Sequence, residues 1–183
     1  RGFILLLSFS VTAYSQGITP IDNVVKTSLE IKSGADLTSK YLPLLKGKSV
    51  AIVANQSSNI KKTHLVDSLL KLDVKIKKVF CPEHGFRGLV DAGETVATEK
   101  DAATGLTIIT LYGKNKKPLP ADLKNVDVVV FDIQDVGVRF YTYLSTLHYV
   151  MEACAENKKQ LIVLDRPNPH GYYIDGPVLE PAY

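Results

Sequence analysis

The stretch VDVVVFD, Val126–Asp132, decides the fold. Its apolar residues are β-branched or aromatic and nearly continuous, as in a strand covered on both faces rather than one wetted on alternate positions. After it comes YTYLSTLHYVMEACAENKK, in which Leu144, Leu147, Met151 and Cys154 recur at helical spacing and predict one buried stripe. The closing lysines suit a helix C-terminus. A second buried strand follows at QLIVLD, Gln160–Asp165. Strand, helix, strand is the unit of a parallel sheet.

Working back towards the N-terminus, the pattern repeats. SVAIVA (Ser49–Ala54), VKIKKVF (Val74–Phe80) and LTIITLY (Leu106–Tyr112) read as strands. Between the first two, Leu65, Leu69 and Leu72 mark a helix that Thr63 is placed to cap. An earlier helix is expected over Gly34–Leu45. The fold class is therefore α/β with a mostly parallel sheet. No internal repeat or low-complexity segment interrupts it.

Composition narrows the function. The 183 residues are 45% hydrophobic and 22% charged, ordinary for a globular domain. A net charge of +3 on scattered lysines gives no basis for a nucleic-acid surface. Arg1 and the short apolar run Phe3–Val11, followed by Ala13-Tyr14-Ser15, match a signal peptide over residues 1–15, with residues 16–33 as a lead-in. The run is too short to span a bilayer. No cysteine follows it to carry lipid, so no stable membrane anchor is expected. The expected location is outside the cytoplasm, in the periplasm or cell envelope. Cys81 and Cys154, the only cysteines, are expected to be buried free thiols. The chain lacks an initiator Met and ends without a closing element, so it is expected to be a piece of a longer protein.

In a parallel α/β sheet, ligands sit beyond the carboxyl ends of the strands. Four of those ends are rich in functional groups. They are Asn55-Gln56-Ser57-Ser58, Pro82-Glu83-His84-Gly85 with Arg87, Asp132-Ile133-Gln134-Asp135 with Arg139 and Tyr141, and Asp165-Arg166. The opposite ends carry mostly lysines and turn residues. A site at the carboxyl edge is expected, and Glu83, fixed between a proline and a His-Gly pair, is its most distinctive acid.

Several chemistries lack their signatures. Gly85-Phe86-Arg87-Gly88 does not have dinucleotide-binding spacing, and neither a phosphate-binding loop nor a G-x-S-x-G elbow occurs. His84 and His170 with Asp132 or Asp165 offer only a minority route to a metal-dependent hydrolase. What remains is a cleft of carboxylates, amides, arginines and tyrosines. Carboxylate pairs perform glycoside hydrolysis, and an arginine fork binds a carboxylate. Each residue also has a plain structural role open to it: Asp132 and Asp165 as loop pins, Arg139 and Arg166 as their counter-ions, Asp91 and Glu94 as solvated loop acids.

The segments PEHGFRG…DAGE, LYG, DVVVFDIQDVGVRFYTY and LDRPNP…GPVLE, in this order, resemble the exo-β-N-acetylmuramidases, long catalogued as a domain of unknown function. The resemblance covers nearly all of Gly34–Glu180. It implies a Rossmann-like domain over residues 34–183, truncated before the family's smaller second α/β domain. The implied activity is exo-hydrolysis that releases N-acetylmuramic acid from the non-reducing end of peptidoglycan fragments, without metal or organic cofactor. The implied partners are muramyl sugars. The resemblance puts the catalytic glutamate at Glu83 and lines the cleft with His84, Arg87, Asp132, Gln134, Asp135, Arg139, Tyr141, Asp165 and Arg166. Asp132, Asp135 or Asp165 would be the second carboxylate, with Asn55 and Gln56 available to sugar hydroxyls. Arg139 or Arg166 would hold the lactyl carboxylate. A sugar-binding protein without turnover is the alternative from another class.

Overall fold

The structure, a computed structural model, describes residues 31–83, 85–88 and 99–182. The expected signal peptide and most of the lead-in lie outside these residues, as do His84, Asp91 and Glu94. A 3₁₀ turn at Gly34–Asp36 opens the described chain, capped by Ser33 and Asp36, whose side chains each take a backbone N–H from the other residue. Gly34 is required there. A Cβ at this position would stand 2.6 Å from the Asp165 nitrogen, and its N–H donates to the Asp165 carbonyl.

Helix α1 (Thr38–Leu45) leads into strand β1 (Ser49–Ala54). A small hairpin follows, β2 (Asn59–Ile60) with β3 (Thr63–His64), then α2 (Leu65–Lys71) and β4 (Lys75–Cys81). Further on come β5 (Glu99–Lys100), β6 (Thr107–Thr110), α3 (Pro120–Leu123), β7 (Val128–Asp132), α4 (Tyr143–Glu156) and β8 (Gln160–Val163). The six-stranded sheet runs β5-β6-β4-β1-β7-β8, parallel except at β5. The five parallel strands thus take the order third, second, first, fourth, fifth, which is the doubly wound Rossmann order.

Alternation along the strands builds three layers. Val50, Ile52 and Ala54 of β1 pack with Tyr41 and Leu45 of α1 and Leu65, Val66 and Leu69 of α2. Ala51 and Val53 face the other way, against Leu123 of α3 and Val150, Ala153 and Cys154 of α4. In β4, Ile76 and Val79 share one face although three residues apart. An irregularity in register between Val50 and Ala51 accommodates the odd spacing. Both cysteines are buried free thiols, each pushed up to about 11 by burial.

Three expectations need correction. QLIVLD, expected as a strand covered on both faces, forms the edge strand β8 and is partly exposed, Val163 to 47%. The cap of α2 is His64, whose Nδ1 accepts the Val66 N–H, while Thr63 pairs with Ile60 in the hairpin. In α4 the buried residues are Thr146, Val150, Ala153 and Cys154, with Leu147 partly covered. Leu144 and Met151 are 64% and 54% exposed. The inward face is rotated from the apolar stripe because alanine and β-branched residues allow the helix to lie close to the sheet.

Candidate active site

Asn55, Glu83 and Asp165 follow β1, β4 and β8, Asp132 is the last residue of β7, and all four stand at the same edge of the sheet. Between β1 and β7 the chain changes direction, β1 leading to one side of the sheet and β7 to the other. That switch point is where a parallel α/β sheet leaves a crevice. Here the two loops are stitched together. Ser58 Oγ donates to the Asp132 carbonyl, and Ser57 Oγ accepts the Gln134 N–H at 3.0 Å. Asn55 Oδ1 accepts both the N–H and the hydroxyl of Ser57, at 2.9 and 2.6 Å. The Nδ2 of Asn55 is consequently turned away. It is buried without a hydrogen-bond partner among the described residues, as is Oδ1 of Asp135.

A cavity of about 510 Å³ opens at this edge, lined by Gln56, Glu83, Gly88, Phe140, Tyr141, Thr142 and Tyr143. Gly88 has φ +71°, and a Cβ there would press to 3.0 Å from the Gln56 side chain. Burial pushes the Tyr143 phenol up; Tyr141 adds to the shift, the Asn55 amide opposes it, and the charges of Glu83 and Asp135 reinforce it. Tyr112 lies against the Glu83 carboxylate, whose hydrogen-bonding pull and charge raise its pKa. The acid Glu83, the amide of Gln56 and the phenols of Tyr141 and Tyr143 therefore converge on one space, with Tyr112 outside its lining.

Other expected site residues are committed elsewhere. Arg87 is not aimed into the cavity. Its guanidinium grips Asp101 through Nε and Nη2 (2.7 and 2.9 Å) and Asp67 through Nη1 and Nη2 (3.1 and 2.9 Å). The Arg87 hydrogen bonds hold Asp101 down to about 2 and lower Asp67 as well. Asp132 is fully buried, and both its oxygens are taken by Arg166 at 2.6 and 2.9 Å. Burial pushes the Asp132 carboxyl up and Arg166 opposes it. Arg166 also donates to the Asn59 carbonyl. This pair is a loop pin, one of the plain roles open to it in the sequence, and leaves Arg166 no free fork for a lactyl group.

Gln134 donates to the carbonyls of Asp135 and Pro167, cross-linking two loops. Arg139 donates to the Pro177 carbonyl at 2.7 Å. Asp165 is exposed and does not line the cavity. His170 is tied to the Val136 carbonyl at 2.7 Å. Among the described residues no group of three or more His, Cys, Asp or Glu is arranged to hold a metal ion.

Tyr112, Phe140, Thr142 and Tyr143 are not among the residues expected at the site, although they stand in segments whose motifs are. Tyr112 has a signal in the sequence: it sits just past β6, at the same carboxyl edge. Tyr143 is the first residue of α4 and stands at the helix mouth, off the predicted apolar stripe. Asp67 and Asp101 carry no local signature, since their role exists only through Arg87.

Sheet order and a polar carboxyl-edge cavity define an α/β protein of Rossmann-like build with a cavity at the switch point. The chain belongs to the family described as exo-beta-N-acetylmuramidase NamZ, N-terminal, whose profile matches residues 50–183. It is 44% identical over 183 residues to the peptidoglycan beta-N-acetylmuramidase NamZ of Bacillus subtilis strain 168, covering 98% of this chain and 44% of that protein. Crystal structures of two DUF1343 family proteins from Bacteroides fragilis align with TM-scores of 0.69 and 0.72, each at 42% identity. They cover 81% and 83% of this chain, and 38% and 39% of theirs. The chain spans less than half the length of the relatives it matches.

Proposed function

We propose that this chain is the N-terminal part of an exo-acting glycoside hydrolase that releases N-acetylmuramic acid from the non-reducing end of peptidoglycan fragments, in cell-wall turnover or recycling. The observation that carries it is Glu83 lining the carboxyl-edge cavity of a chain in this family. Glu83 is the general acid. It gives its proton to the glycosidic oxygen as the bond from the anomeric carbon breaks, and water supplies the hydroxyl that the carbon gains. Asp135, whose Oδ1 has no partner among the described residues and whose charge reaches Tyr143 in the cavity wall, suits the second carboxylate better than the paired Asp132, although neither it nor Asp165 lines the cavity. Gln56 and Tyr141, which line the cavity, contact sugar, whereas Asn55 is buried beneath it; of the two candidate arginines, Arg139 has donors without a partner among the described residues for the lactyl carboxylate. Residues 1–15 direct the protein out of the cytoplasm. N-terminal sequencing of secreted protein should start near Gln16; a mature protein retaining Phe3–Val11 would refute export.

The test of activity uses two disaccharides and the full chain. The muramic-acid-terminated one should yield free N-acetylmuramic acid, and the one ending in N-acetylglucosamine should stay intact. Binding of the first without release would instead favour a sugar-binding protein.

A further inference from the structure

Glu83 faces a second, smaller cavity of about 180 Å³, which shares only Glu83 and Thr142 with the larger one. Its other polar lining comes from Tyr112, Lys116, Ser145, Thr146 and Tyr149, on the β6 exit loop and the first turns of α4. No hydrogen bond or ion pair to another described residue engages the Lys116 ammonium, unlike that of neighbouring Lys117, which pairs with Glu152 and Glu156.

We propose that this second cavity receives the sugar on the leaving-group side of the scissile bond. The inference rests on the hydrolase function proposed above. A general acid protonates the oxygen between two sugars, so the two rings must occupy separate spaces on either side of it. Glu83 is the wall between two such spaces. The larger takes the muramyl ring, which carries the bulkier substituents. The smaller offers two phenol rings for the apolar face of a pyranose, with an ammonium and a hydroxyl for its oxygens. Lys116, Ser145 and Tyr149 are thus specificity-determining residues for the leaving sugar.

The test compares two substrates of the full chain: a muramic-acid-terminated disaccharide and nitrophenyl β-N-acetylmuramide, whose leaving group lacks sugar hydroxyls. Lys116→Ala is an exposed change with little consequence for folding, and Tyr149→Ala removes the ring. In both, kcat/KM on the disaccharide should fall roughly tenfold relative to that on the nitrophenyl substrate, mostly through KM, as expected for one or two lost hydrogen bonds or a lost ring contact. Equal losses on both substrates, or no loss from either variant, would overturn the assignment. Wild-type protein that cleaves neither substrate would instead refute the hydrolase function on which it rests.

Discussion

Arg87 shows how a residue in a site motif can serve the site without touching substrate. Phe86 inserts into the core beside His64, with ring centroids 4.6 Å apart, and Arg87 then clamps its loop to α2 and to Asp101. Asp101 ordinarily ionises near 3.8 and is held at about 2, chiefly by Arg87. A depressed carboxyl contributes stability above its unfolded value and loses it as pH falls through the folded value. Asp101→Asn should therefore cost about 2 kcal/mol at neutral pH, at about 1.4 kcal/mol per pKa unit. It should also flatten the acid limb of the stability curve between roughly pH 4 and pH 2. Urea unfolding across that range measures both, and an unchanged acid limb would show that the clamp carries no such weight. Asp132→Ala should be more severe, about 3–5 kcal/mol, because it strands the buried Arg166 guanidinium. A loss under 1 kcal/mol would return Asp132 to the list of candidate catalytic groups.

At the scale of elements, β1 and β7 were legible because burial on both faces leaves a continuous apolar signature, whereas the same signature in β8 belongs to a partly exposed edge strand. The orientation of α4 was not legible. Its sequence has more apolar residues than one face needs, so periodicity alone does not choose between Leu144–Met151 and Val150–Cys154. The contact with Ala51, Val53 and Phe131 chooses, and those belong to strands remote in sequence. Val150→Ala should cost about 2 kcal/mol in lost methyls and residual cavity, whereas Met151→Ala should stay within about 0.5 kcal/mol. Thermal melting of the two variants separates them; the reverse ranking would mean that the helix lies on its other face. The site was legible in part for the same reason as the strands. Polar residues that follow apolar runs point to the carboxyl edge, which brought Gln56, Glu83 and Tyr141 to one cavity. Which of them turn away, as Arg87, Asp132 and Arg166 do, depends on partners that the local sequence does not reveal.

For the whole molecule, the sheet order places the first and fourth parallel strands side by side and opens the crevice beyond their ends. Strand order locates the crevice at that edge. The chemistry assigned to that edge rests on one side chain. Glu83→Gln keeps the shape and hydrogen-bonding capacity of the residue but removes the proton that a general acid donates. The direct measurement is release of N-acetylmuramic acid from a muramic-acid-terminated disaccharide by the full chain and its Glu83→Gln variant, with melting curves matched. Turnover should fall roughly 10²–10⁴-fold, the usual contribution of a positioned acid. A folded Glu83→Gln protein with near wild-type turnover would contradict the account.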